Sequence, residues 1–86
     1  MYIKINEALL ECKEEVMELT LLDTLWNATE NRIYRDEREN GIYDLAERIA
    51  EYLGMEDSVG DVEFIIAEII EDKALDLKND YLDTKF

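Results

Sequence analysis

Histidine and proline are absent from this chain, cysteine occurs once, and glycine occurs three times in 86 residues. Without histidine the chain lacks the commonest acid–base group near neutral pH and the commonest metal ligand. The single cysteine, Cys12, excludes an internal disulfide and gives no sign of secretion. With no proline, and with breakers only at Gly41, Gly54 and Gly60, long helices can run uninterrupted. No apolar run approaches the ~20 residues that a membrane span needs, and the basic-then-apolar start of a signal peptide is missing. A soluble cytoplasmic protein is expected, with no membrane contact.

The most local absence is of positive charge. From Glu51 to Asp72 there are eight acids (Glu51, Glu56, Asp57, Asp61, Glu63, Glu68, Glu71 and Asp72) and no base. The net charge is −14, and it is unevenly placed. Residues 1–35 hold seven acids against four bases, whereas residues 36–86 hold sixteen against five. Such a chain repels free nucleic acid and anionic lipid, so its partners are expected to be basic. An apolar share of 48% still suffices for a single small core, so disorder is not expected.

Helical spacing dominates the apolar pattern. Leu9, Cys12, Val16 and Leu19 form one stripe, with Asn6 as its expected N-cap. At Thr20–Asp23, cap-type side chains without glycine or proline leave the first helix free to stop, kink or continue. Leu22, Leu25, Trp26, Thr29 and Ile33 lie on another phase, which argues for a second helix over roughly 23–35 in place of one long straight one. The run Asp36–Gly41 ends in Asn-Gly, a turn signal. Ile42, Leu45, Ala46, Ile49 and Leu53 predict a third helix stopped by Gly54. A fourth is predicted from Asp61 to near Leu82, with Ser58 and Asp61 in a capping box. Its inward residues are Val62, Ile65, Ile66, Ile69, Ile70, Leu77 and Tyr81. The expected fold is all-α, one domain of about four helices, with the fourth as the central packing element. The expected core is Leu9, Cys12, Val16, Leu25, Trp26, Ile42, Leu45, Ile49, Leu53, Val62, Ile65, Ile66, Ile69 and Ile70.

Three functional patterns emerge. Asp36–Glu47 is similar to an EF-hand loop, with Asp36, Asn40, Gly41, Asp44 and Glu47 at positions 1, 5, 6, 9 and 12 of that pattern. Arg38 stands at position 3, where an oxygen ligand is required, so a polar turn before an acidic helix is the favoured reading.

Asp57-Ser58-Val59 before an acidic helix resembles the phosphopantetheine site of acyl carrier proteins, where Asp-Ser-Leu opens the recognition helix. Here Val59 replaces the leucine. The resemblance implies Ser58 as the attachment point and Glu63, Glu68 and Glu71 as contacts for basic enzymes. Capping alone also explains Asp-Ser in this place.

The third pattern is the acidic surface itself. Carboxylates seven apart on a helix, such as Asp44 and Glu51, recur about every 10.5 Å. Rows of this kind can imitate phosphate backbones, and apolar residues among them, such as Phe64, Leu75 and Leu82, can add a desolvated anchor. In general character, though by no motif, the chain is similar to the small acidic DNA-mimic inhibitors that phages and mobile elements use against restriction and CRISPR nucleases. That resemblance implies a non-enzymatic protein without cofactor or metal. Its expected partner is a basic nucleic-acid-binding protein, such as a nuclease or CRISPR effector. The expected contact residues are Asp44, Glu47, Glu51, Glu56, Asp57, Asp61, Glu63, Phe64, Glu68, Glu71 and Asp72. A generic acidic interaction module remains the alternative, and a homodimer through Phe64, Leu75 and Leu82 is also open.

Overall fold

A computed structural model describes residues 2–85, with side chains placed for residues 2–77. The fold is all-α. Its elements are α1 (Tyr2–Leu10), α2 (Lys13–Thr29), α3 (Arg32–Leu53), a 3-10 turn (Glu56–Ser58) and α4 (Val59–Lys85). Four helices were expected and four are present among the described residues, but two of the three breaks lie elsewhere.

The first stripe is divided between α1 and α2. Glu11 and Cys12 donate to the carbonyls of Ala8 and Leu9, at 3.1 and 3.0 Å, which closes α1 in a tight turn. Asn6 is an exposed interior residue of α1 and caps nothing. The predicted break at Thr20–Asp23 is helix interior. There the Thr20 hydroxyl donates to the Val16 carbonyl at 2.7 Å, and Thr24 donates to the Thr20 carbonyl at 2.9 Å. These cap-forming side chains bond back onto their own helix, so it continues. The real end of α2 is Glu30, left-handed at φ 56°, whose N–H donates to the Trp26 carbonyl. Asn31 then caps α3, its Oδ1 accepting from the Ile33 N–H at 3.0 Å.

Asn40-Gly41, read as a turn, lies inside α3. Gly41 serves packing: a Cβ there would stand 2.6 Å from Leu19 Cδ2. The missing side chain lets α2 and α3 approach closely. Gly54 does stop α3, left-handed at φ 69°. Its N–H reaches the Glu51 carbonyl at 3.2 Å, and the Met55 N–H reaches the Ala50 carbonyl at 2.7 Å. That is a full Schellman closure. The 3-10 turn leads straight into α4 at Val59, two residues earlier than predicted, and no side-chain hydrogen bond joins Ser58 to Asp61.

The long helices α2, α3 and α4 pack against one another, and the short α1 touches all three. Both α3 and α4 meet every other element, so the central role expected of the fourth helix is shared. The core comprises Ile5, Leu9, Val16, Leu19, Ile42, Leu45, Ala46, Ile49, Ala50, Val62, Ile66, Ile69 and Ile70. Cys12, Leu53 and Ile65 are half-buried against it.

Leu25 and Trp26 do not belong to the core. Leu25 is exposed, and Trp26 is half-buried with the Arg35 guanidinium 5.5 Å from its ring centre. Because α2 has no break at residues 20–23, its inner phase continues from Val16 and Leu19 to Thr20 and Asp23. Leu25 is thereby turned outward. Leu77, expected inward, is also exposed; the side chains of Tyr81 and Leu82 lie outside the described residues. At the α2–α3 interface the buried Asp23 carboxylate accepts from Arg38 Nη1 and from Asn27 Nδ2.

Candidate functional site

The outer face of α3 carries the first row of acids. Glu37, Asp44 and Glu51 are all exposed and recur at seven-residue steps, about 10.5 Å apart along the axis. Glu47 is exposed beside them. Glu37 was not a candidate, because the Asn40-Gly41 turn signal placed it outside the helix. The seven-residue spacing of Glu37 to Asp44 and Glu51 was the signal that could have found it.

The second row wraps α4. Asp61, Phe64, Glu68, Glu71, Asp72 and Leu75 are all exposed and occupy one outward arc, opposite Val62, Ile66, Ile69 and Ile70. Phe64 is 65% exposed and Leu75 55%, each set among carboxylates. Glu63 lies apart from that arc, half-buried on the flank toward α3. By the helical period Glu63 and Asp72 are about half a turn apart around the axis. The acids of α4 therefore do not lie in one plane with the α3 row. Glu56 and Asp57 are exposed in the 3-10 turn that joins the two helices.

Tyr43 reports on the seam between the rows. The Glu47 carboxylate one turn along acts on its hydroxyl most strongly, and the Glu63 charge acts on it from α4. Both hold the phenol above its ordinary pKa of 10.0. Glu47 of α3 and Glu63 of α4 thus act on one phenol, although sixteen residues apart in sequence. Tyr43 itself was missed, since its place beside Glu63 depends on how the two helices pack.

Three of the four arginines are engaged mainly away from these rows. Arg38 pairs with the buried Asp23, and Arg35 lies 3.5 Å from Asp36. Arg48 holds Glu15 of α2 through both of its terminal nitrogens and reaches Asp44 at 3.6 Å. The Arg48 hydrogen bonds lower the Glu15 pKa, outweighing its partial desolvation. Among the described residues, Asp44 is the one candidate with a cation partner. Glu47, Glu51, Glu63, Glu68 and Glu71 form no ion pair there.

The other patterns fare differently. Asp36–Glu47 is continuous α-helix, so its oxygen-bearing side chains radiate around α3 and do not converge on a point. Among the described residues no three Asp, Glu or Cys side chains are arranged to hold a metal ion. Ser58 is half-buried at the end of the 3-10 turn, and one unbroken helix follows it. Cys12 is half-buried against the core. Among the described residues no helix is long and apolar enough to cross a membrane. Comparison with protein families, with curated proteins and with solved structures finds no match.

Proposed function

We propose that this chain is a non-enzymatic, cytoplasmic inhibitor that lays its α3–α4 carboxylates on the basic groove of a nucleic-acid-binding protein. One observation carries the reading. Arg35, Arg38 and Arg48 are spent on α2–α3 contacts and near neighbours, while α4 presents no base between Val59 and Asp72 and its exposed acids form no ion pair among the described residues. Folding does not require this. A charge magnitude of about 2–8 keeps a small domain soluble, and −14 exceeds it. A lysine- and arginine-lined groove gains from such a surface as it does from phosphates, by charge complementarity and counter-ion release. The α3 row is sparser than a DNA strand, whose phosphates recur about every 3.4 Å of axis. The row would therefore occupy only some of the phosphate contacts of its partner, a nuclease or a CRISPR effector. Phe64 and Leu75 favour a second reading, an acidic helical module that docks mainly through apolar contacts.

Capture of partners from the source cell at low and high salt, followed by displacement with duplex DNA, tests the proposal. The mimic reading expects binding that falls steeply with salt and is displaced by DNA. Replacing Glu47, Glu51, Glu63 and Glu71 by Gln should flatten the salt dependence by up to roughly one power of salt per contacting acid. Binding that ignores salt but is lost in Phe64→Ser would favour the apolar module and refute the mimicry.

A further inference from the structure

The side of the molecule formed by α1, α2 and the C-terminal half of α4 differs from the acidic rows. On α2, Met17, Leu21 and Leu25 are 65%, 50% and 40% exposed, and Ala28 is exposed beyond them. With Thr24 they fall at the three- and four-residue steps of a coiled-coil seam, although the opposite side of α2 already faces the core. Leu10 of α1 and Leu77 of α4, 59% and 50% exposed, flank this seam. They line a groove of about 520 Å³ shared with Met17, Lys13, Lys73 and the carboxylate of Asp76.

We propose that this face binds a second copy of the same chain, with the two α2 helices antiparallel and crossing at Leu21. Charge selects both the face and the direction. The α3 and α4 faces repel their own copies, whereas from Leu21 to Ala28 the outward side of α2 carries no acid, Asp23 being turned inward. Antiparallel pairing about Leu21 sets Met17 against Leu25 of the second copy and Leu21 against Leu21. Glu14 then faces Ala28, and Glu18 faces Thr24. Lys13 closes each end of the seam opposite Thr29 of the second copy, and both residues are exposed in the single chain. A parallel pair would set Glu14 and Glu18 against themselves. The seam is about 25 Å long. Leu10 and Leu77 widen it toward the roughly 800 Å² per partner that a stable interface buries. The sequence pointed to Phe64, Leu75 and Leu82 for self-association. Phe64 and Leu75 instead lie between exposed acids that pairing would bring together.

This inference is independent of the proposed function, and its salt response is opposite. Screening should strengthen a dimer of like-charged chains while weakening capture by a basic partner. Sedimentation of the full chain over a concentration series, at low and high salt, tests it. A reversible dimer favoured by salt is expected, and Leu21→Glu should weaken it at least tenfold while helicity is retained. Leu25→Glu serves the same purpose if the first variant misfolds. In a Cys12→Ser background, oxidation of Leu21→Cys should give a covalent dimer, whereas Glu18→Cys should cross-link only to Thr24→Cys. A monomer at every concentration, a dimer indifferent to Leu21→Glu but broken by Phe64→Glu, or self-cross-linking of Glu18→Cys would each overturn the proposal.

Discussion

Replacing Asp23 by Ala should be among the most damaging single changes to this fold. Its side chain is 2% exposed and takes a hydrogen-bonded ion pair from Arg38, which is 16% exposed. The Asn27 amide adds a longer bond at 3.3 Å. Removing one partner of such a pair strands the other charge, at a cost of about 3–5 kcal/mol. The residual exposure of Arg38 lets its head regain some water, which places the loss near the lower end, about 3 kcal/mol. A domain of this length has a total stability of roughly 4–13 kcal/mol, so the loss is a large share. It corresponds to a fall in Tm of about 12–24 °C. The double variant Asp23→Leu/Arg38→Met should behave differently. Arg38 Nε is buried without a hydrogen-bond partner, so the pair is imperfectly satisfied and its apolar replacement removes that penalty. The double variant should lie within about 1 kcal/mol of the parent, or above it. Urea unfolding followed by far-ultraviolet circular dichroism, run as a double-mutant cycle, reads both numbers. A loss below about 1 kcal/mol for Asp23→Ala, or a double variant as damaged as the two singles added together, would refute the reasoning.

Three further outcomes follow from the same structure. Gly41→Ala should gain about 1 kcal/mol in helix propensity but lose about 1–3 kcal/mol to overpacking against the enclosed Leu19. A net drop in urea midpoint, recovered by Leu19→Val, is expected, and a rise in the midpoint of the single variant would disprove the close approach. Tyr43 should ionise above its ordinary pKa of 10.0, and Glu47→Gln should bring it back down. Ultraviolet titration against a Tyr43→Phe control checks this, and an unchanged titration would separate Glu47 from the seam. The Glu15 pKa is lowered in the folded state from its usual 4.5, so the stability it confers is present above that value and fades as pH falls through the lowered one. Arg48→Ala should therefore make acid unfolding less dependent on pH in that range, by a small amount because the pair is largely solvent-exposed. An unchanged pH dependence would show that the pair does not form in solution.

Local pattern alone determined a good deal of this protein. The all-α class, the apolar stripes of Ile42–Leu53 and Val62–Ile70, the Gly54 stop and the crowding of acids into the second half are all legible along the chain. They are legible because helical period, a left-handed glycine and charge composition need no partner to have their effect. Packing decided the rest. Thr20, Asp23 and Gly41 are each good turn or cap residues, and each is helix interior in the folded chain. The local alternatives differ by about 1 kcal/mol, which a single long-range contact outweighs. For Gly41 that contact is Leu19, and for Asp23 it is Arg38, fifteen residues on. The same holds for the candidate site. Which side chains are acidic was apparent from the start. That the Glu63 charge of α4 reaches Tyr43 of α3, and that Arg48 is drawn to Glu15, depend on the angles at which three helices pack. No periodicity within a single helix encodes those angles.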